Sequence, residues 1–367
     1  MEPSALALLA SFVNSHGTSI FSPFSTPGRE INDLSIFVLA ITGAIFVVVC
    51  ILLIHVLIRY RAHPEDNAEP PQVFGSLQIE LSWTIIPILI IVVLFLSTAR
   101  VLFSVQDAPR PKTALDVVVV GHQFWWEFRY PQYGVVTANE LHVPTSTTAA
   151  PRPTFMKLTS ADVIHSFWIP EISGKTDLLP NRVNEMWIDP HQTGLYLGQC
   201  AQFCGPEHAK MLLRVIVDTP EQFQEWINQQ KRTQPELDAQ DAALAQQQET
   251  RANVLPVAVA QKNQSEMTEG GRENAPDAKY GQYVFEHQAC ISCHAVAGTV
   301  ANGRFGPDLT HLMSRDTLAA GATTNDEENL EMWIANPNIF KPGSLMPAMH
   351  LSDRENAAIT AYLLTLK

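Results

Sequence analysis

Two thiols, an imidazole and a thioether fall within twelve residues, in Cys200-Ala-Gln-Phe-Cys204-Gly-Pro-Glu-His208-Ala-Lys-Met211. Soft sulfur ligands with imidazole select copper or zinc over magnesium or calcium. Zinc readily takes two Cys and one His, and a disulfide between the two thiols is the other simple outcome. Three features argue against zinc: Met211 is a poor zinc ligand but a usual weak ligand for copper, the second ligand pair of a zinc finger is missing, and the spacing is C-x3-C. A second imidazole, His165, lies 35 residues upstream of Cys200 in Asp-Val-Ile-His-Ser-Phe-Trp, on what reads as a strand end. Two His, two Cys, one Met and the backbone carbonyl of Gln202 make a ligand set for two coppers bridged by both thiolates.

A second motif closes Tyr280-Gly-Gln-Tyr-Val-Phe-Glu-His-Gln-Ala-Cys290-Ile-Ser-Cys293-His294. C-x-x-C-H is the attachment signature of c-type haem, in which two thioethers fix the vinyl groups and the His becomes the proximal iron ligand. By itself the motif also fits a redox dithiol or half a zinc site. Two downstream stretches resemble class I cytochromes c: Gly306-Pro-Asp-Leu309 is similar to the loop whose Pro carbonyl orients the proximal His, and Lys341-Pro-Gly-Ser-Leu-Met346-Pro to the loop carrying the distal Met. The resemblance implies one haem c bound covalently by Cys290 and Cys293, with His294 and Met346 as axial ligands and Pro307 behind His294. Met346 is preferred to Met349 because Gly343 and Pro347 frame it as in that family. Of the five Cys, Cys50 sits in an apolar run and the rest form these two pairs, which leaves none for a structural disulfide.

The elements that must position these groups fall into blocks. Charged residues are 17% and hydrophobic ones 46% of the chain, which suits a protein partly embedded in lipid. A net charge of −13 argues against a nucleic-acid partner. Residues 1–30 read as an N-terminal arm and 31–110 as a transmembrane hairpin, with helices over about 34–58 and 81–104. Between Asp33 and Arg59 no residue is charged, enough to cross a hydrocarbon core of about 30 Å, and Pro87 in the second span is tolerated in membrane helices. Over 111–228 the runs Leu115–Val120, Phe124–Tyr130, Phe155–Leu158, Glu185–Ile188 and Leu212–Val217, separated by Pro, Gly, Asn and Thr, predict an antiparallel all-β sandwich or barrel. A short helix over Glu221–Gln230 closes it. Residues 229–276, rich in Gln, Ala, Asn and Glu, read as a linker with helical propensity near 236–250. Residues 277–367 make an all-α domain ending in a helix over Asp353–Leu366.

The Cys200–Met211 loop closely resembles the CuA loop of cytochrome c oxidase subunit II, and the likeness covers roughly residues 31–228, with 278–367 similar to cytochrome c. Together they resemble subunit II of a caa-type cytochrome c oxidase. The resemblance implies a cupredoxin-like Greek-key barrel and dinuclear CuA held by His165, Cys200, the Gln202 backbone oxygen, Cys204, His208 and Met211. It implies electron input from a quinol–cytochrome c reductase complex or a small cytochrome c, and a relay from haem c to CuA to the haem of subunit I. Subunit I, with subunit III beside it, would reduce dioxygen to water, so no dioxygen chemistry is expected on this chain. The location implied is the bacterial inner membrane, multi-pass, with both metal domains on the periplasmic or outer side. Gln78-Ile-Glu80-Leu-Ser-Trp-Thr-Ile-Ile-Pro87 is similar to a stretch whose Glu stands at a proton-channel entrance; by residue type alone Glu80 is a solvated helix-end acid. Gly121-His-Gln-Phe-Trp-Trp-Glu-Phe128 reads by itself as a buried strand. In the family it stands over the copper pair and opens with a Trp that receives electrons, where this chain has Phe124, then Trp125 and Trp126. Asp177 and Arg182 match positions beneath the copper facing subunit I, and by type make an ordinary loop ion pair. Where the family often has a magnesium-binding Glu, this chain has Gln202, whose neutral amide should weaken any magnesium site. A CuA-bearing nitric oxide reductase shares the hairpin and copper loop and is the alternative reading.

Overall fold

The two apolar runs form the longest elements of the computed structural model, which describes residues 18–61, 72, 75–232 and 277–367. Helices α1 (Thr26–Arg59) and α2 (Leu77–Gln106) are long and apolar enough to cross a membrane, with mean hydropathies of 3.2 and 2.6. Helix α1 starts at Thr26 rather than near residue 34, because Ser25 accepts from the Gly28 amide and Pro27 sits in the first turn, both helix-starting features. Residues 1–17 of the expected arm and 233–276 of the expected linker, including its helical stretch near 236–250, lie outside the described residues.

The outer ends of both helices are fastened to one β domain. The Thr26 amide donates to Asp189 Oδ1 at 2.7 Å, and Ser25 Oγ donates to the Ile172 carbonyl. Trp187 Nε1 donates to the Val105 carbonyl at 2.6 Å. Ser104 Oγ, near the end of α2, donates to Glu30 Oε1 in α1 at 2.8 Å. The hairpin therefore presents both of these ends to the barrel.

The barrel consists of two five-stranded sheets. Its strands are β1 (Leu115–His122), β2 (Trp125–Tyr130), β3 (Val135–Ala138), β4 (Glu140–Pro144), β5 (Thr154–Ser160), β6 (His165–Trp168), β7 (Thr176–Leu178), β8 (Asn184–Ile188), β9 (Gly194–Cys200) and β10 (Leu212–Asp218). One sheet runs β3-β2-β1-β5-β8 and the other β4-β10-β9-β6-β7. Two pairs depart from the expected antiparallel pattern: β1 with β5 and β4 with β10 are parallel. Phe124 lies outside β2, in the Gln123-Phe124 turn between β1 and β2. Alternation seats Leu115, Val117 and Val119 of β1 and Leu213, Val215 and Val217 of β10 in one core, with Trp126, Phe128 and Phe167 at its centre. Edge-to-face rings join these aromatics, at 5.4 Å between Trp126 and Phe167, a geometry their quadrupoles favour. Helix α3 (Pro220–Gln230), started by a Thr219–Gln222 capping box, closes the barrel.

The C-terminal domain is built from α4 (Ala278–His287), α5 (Cys290–Cys293), α6 (Glu327–Ala335) and α7 (Asp353–Leu363), with a small β11 (Thr317–Leu318) and β12 (Thr323–Thr324) ladder. Helix α7 ends at Leu363, short of residue 366, though Leu366 is still buried in the core. Helix α4 crosses α7 at Gly281, where a Cβ would fall 1.8 Å from the Ala358 carbonyl oxygen, so only glycine allows this approach.

Candidate metal centres

Strand pairing assembles the first centre. Strands β6 and β9 pair with Phe167 opposite Cys200, which sets His165, at the start of β6, beside the end of β9. The Cys200 amide donates to the Met211 carbonyl at 3.0 Å, which closes the loop at its base. A 3-10 turn over His208–Lys210 carries the half-buried His208. The donors lie close together: Cys200 Sγ is 3.9 Å from His165 Nδ1 and 3.9 Å from Cys204 Sγ. Cys204 Sγ lies 3.7 Å from His208 Nδ1 and 3.8 Å from Met211 Sδ, and Cys200 Sγ faces the Gln202 carbonyl at 3.1 Å. His165, Cys200, Cys204 and Met211 are buried. Gly205 (φ +137°) turns the loop, and a Cβ there would meet the Phe124 ring at 2.9 Å.

Two His, two Cys, one Met and a carbonyl within this span fit a soft-metal cluster far better than a hard ion. The neighbouring Cys204 thiol lowers the Cys200 pKa, with His165 helping against the cost of burial. The thiolate so favoured pushes Cys204 up. Burial works against a charged His165, but its hydrogen bonds to Asp162 and Cys200 outweigh that and raise its pKa. Asp162 Oδ1 lies 2.8 Å from His165 Nε2, fixing the ring so that Nδ1 faces the sulfurs. A carboxylate behind an imidazole ligand is a common support of metal sites.

The second centre surrounds a cavity of about 370 Å³ lined by Cys290, Cys293, His294, Met346, Met349, Phe285 and Trp333. His294 Nδ1 lies 2.8 Å from the Pro307 carbonyl, which leaves Nε2 as the free ring nitrogen. Burial keeps the His294 pKa low, so the imidazole is neutral and able to ligate. A Cβ on Gly306 would meet His294 Cε1 at 2.5 Å. Thiols, neutral imidazole and thioethers around an apolar cavity suit a covalently held haem. Gln123, Phe124, Trp125 and Asn139 of the β domain line the same cavity, so the two centres share a wall.

The remaining sequence candidates divide between these centres and other places. Trp126 Nε1 donates to the Met211 carbonyl at 3.5 Å, and its ring lies edge-on to His165 at 6.1 Å. Trp125 stacks on His122 at 4.2 Å. Glu80 lies exposed in the first turn of α2, away from both centres. Asp177 is in β7, its carbonyl accepting from Asn184, while the Arg182 amide donates to the Leu179 carbonyl. The ordinary ion pair between Asp177 and Arg182 does not form among the described residues. Three residues that bear on the centres were not singled out from sequence. Asp162 had a faint signal, three residues before His165. Gln123, whose Nε2 donates to the Cys204 carbonyl at 2.6 Å, and Lys341 stand within stretches already singled out, but their own contacts lie far along the chain and leave no local mark.

Sequence comparison places known families on the same blocks. The profile of the cytochrome c oxidase subunit II transmembrane domain matches residues 15–101, that of the subunit II periplasmic domain 150–218, and that of cytochrome c 278–367. The cytochrome c oxidase subunit 2 of Alkalihalophilus pseudofirmus is 33% identical over 339 residues, spanning 91% of this chain and 85% of that protein. Its counterpart from Bacillus sp. strain PS3 is 32% identical over 324 residues, 84% of this chain and 79% of that one. The subunit 2 of Bacillus subtilis is 28% identical over 385 residues, spanning 99% and 96% of the two chains.

Proposed function

This chain belongs to the cytochrome c oxidase subunit II family, an oxidoreductase component of the terminal oxidase, and we propose that it is the electron-receiving subunit of a caa-type enzyme. When bound, one haem c and a dinuclear copper CuA would supply one-electron chemistry, the electron running from haem to copper and on to the haem of subunit I, where dioxygen is reduced to water. His165, Cys200, the Gln202 carbonyl, Cys204, His208 and Met211 would hold the copper pair. Cys290 and Cys293 would hold the haem covalently, His294 and Met346 would ligate its iron, and the Pro307 carbonyl fixes the His294 ring. Asp162 orients His165, and the buried aromatic wall of Phe124, Trp125 and Trp126 excludes water between the centres. Asp177 and Arg182 face subunit I, and Glu80 takes up protons at the mouth of that subunit's channel. The neutral Gln202 side chain leaves magnesium at the interface weakly held. Subunit III, the inner membrane, a multi-pass hairpin, and a reductase complex or small cytochrome c as donor complete the assembly.

The observation that carries this reading is the shared wall: residues of the copper barrel line the cavity that holds Cys290, Cys293, His294 and Met346. The copper assignment is tested by metal content and magnetic resonance on the purified chain. Two coppers per chain and a mixed-valence signal, lost in Cys200→Ser and Cys204→Ser, are expected. One zinc per chain and no such signal would sink it.

A further inference from the structure

The two domains are joined by a docked interface. At one end Glu140 of β4, buried, accepts from the Asp316 amide at 3.1 Å, the Thr317 amide at 3.0 Å and Thr317 Oγ1 at 2.9 Å. Arg214 Nη2 donates to Asp316 Oδ2 at 3.0 Å. Beside them Gln230 Nε2 donates to Ser314 Oγ at 3.1 Å, and His311 Nε2 lies 3.0 Å from the Gln230 carbonyl. A buried carboxylate is costly unless its hydrogen bonds are made, and those of Glu140 are made almost wholly by the other domain.

At the other end two lysines cross the interface in opposite directions. Lys341, in the loop that leads to Met346, is 4% exposed, and its ammonium donates to the Phe124 carbonyl at 2.8 Å. Lys210, between His208 and Met211, donates to the Phe340 carbonyl at 2.5 Å. The Gln123-Phe124 turn is itself seated on the copper loop, through the Gln123 Nε2 bond to the Cys204 carbonyl and the packing of Phe124 against Gly205. Glu207 is close enough to act on the Lys341 charge, and its buried Oε2 has no hydrogen-bond partner among the described residues. A buried ammonium is costly unless it is paired or hydrogen-bonded. The hydrogen-bond partner of the Lys341 ammonium and the acid nearest its charge both belong to the copper domain.

We propose that Lys341 is the positioning residue for electron transfer within the chain: its ammonium pins the Met346 loop to the turn that rests on Cys204, and Lys210 pins the same loop from the opposite side. The proposal rests on the relay described above. The electron lost on the haem side is the one gained on the copper side; the lysines break no bond and move no proton. What they set is the gap, and a misplacement of about 1 Å away from the reacting centres is enough for large rate losses.

The test uses the full chain loaded with haem and copper, in Lys341→Met, which keeps the stem and loses the ammonium, and Lys341→Arg, which keeps a donor. Flash-induced haem-to-copper transfer is timed, the haem and copper spectra are recorded, and hydrogen exchange reports whether the Asp316 and Thr317 amides stay protected by Glu140. Lys341→Met should slow transfer roughly tenfold or more, with both spectra unaltered and both amides protected, while Lys341→Arg stays near the original rate. An unchanged rate in Lys341→Met overturns the positioning role and leaves the relay standing. Loss of amide protection together with the rate makes Lys341 a general docking residue, which also overturns it. No transfer in the unaltered chain overturns the relay, and the positioning role with it.

Discussion

A single carboxylate decides which nitrogen of His165 is offered to the sulfurs. With Asp162 on Nε2, Nδ1 is the nitrogen facing Cys200, and the ring cannot turn without breaking a hydrogen bond. Such support is typically worth about 10–100-fold in metal affinity. Asp162→Ala should therefore weaken copper binding by about that factor, measured by competition with a chelator, while Cys200 and Cys204 stay in place. An affinity equal to that of the unaltered chain would show that the strand pairing alone orients His165. On the haem side the choice is between two thioethers that both line the cavity. Met346→Ala should remove the sulfur-to-iron absorption band and lower the haem potential, while the haem stays attached through Cys290 and Cys293. If Met349→Ala does this instead, the distal ligand is Met349. The two clusters were readable because four donor side chains share twelve residues and two cysteines share four. Asp162, Gln123 and Lys341 were not, because each acts through a contact that only folding creates, in the last case across 217 positions.

The β1–β2 hairpin is the element that serves both centres, since its turn lines the haem cavity while Trp126 reaches Met211. A polar cluster braces it: Glu127 accepts from Arg129 Nε at 2.5 Å and lies 3.0 Å from His122 Nε2. Burial works to raise the Glu127 pKa, but the bonds to His122 and Arg129 win and hold it down at about 2, against an ordinary 4.5. Because the folded value is the lower one, unfolding takes up a proton wherever the two differ. The stabilisation is therefore whole above about pH 4.5 and drains away as pH falls toward about 2. Glu127→Gln should lower stability by about 1–3 kcal/mol near neutral pH. Thermal midpoints of the two chains should converge as the medium is acidified through that window, and a gap that stays constant would clear Glu127 of the role. At this scale the long apolar helices and the strands with clear alternation were legible. The strands β3, β4, β7 and β9 were missed, and β6 was read only as a strand end at His165, since several are short and mix polar residues whose partners lie across the sheet. The parallel pairs were missed too, because strand direction is set by the tertiary fold and leaves no local mark.

For the molecule as a whole, the charge pattern and the interface point to one behaviour. The copper domain is near neutral and the haem domain acidic, so long-range attraction between them is weak, and sequence alone suggests that a linker keeps them together. The structure adds a cause of different character: Glu140 and Lys341 are buried on contact, and Trp125 packs against Ala320 of the other domain. That packing covers the Phe124–Trp125 face of the copper domain, so a soluble donor should reach copper only through the haem. Salt screens exposed charges over about 10 Å at 0.1 M and about 3 Å at 1 M, but acts far less on buried groups. Transfer from haem to copper within the chain should therefore stay nearly constant from low to high ionic strength, and should not change on dilution. Reduction of the haem by a soluble cytochrome, which must first find it by diffusion, is free to slow as salt rises. Timing both steps on the same preparation separates them. A several-fold fall in the internal rate with salt would mean that screened surface charge, not the buried contacts of Glu140 and Lys341, holds the domains in register.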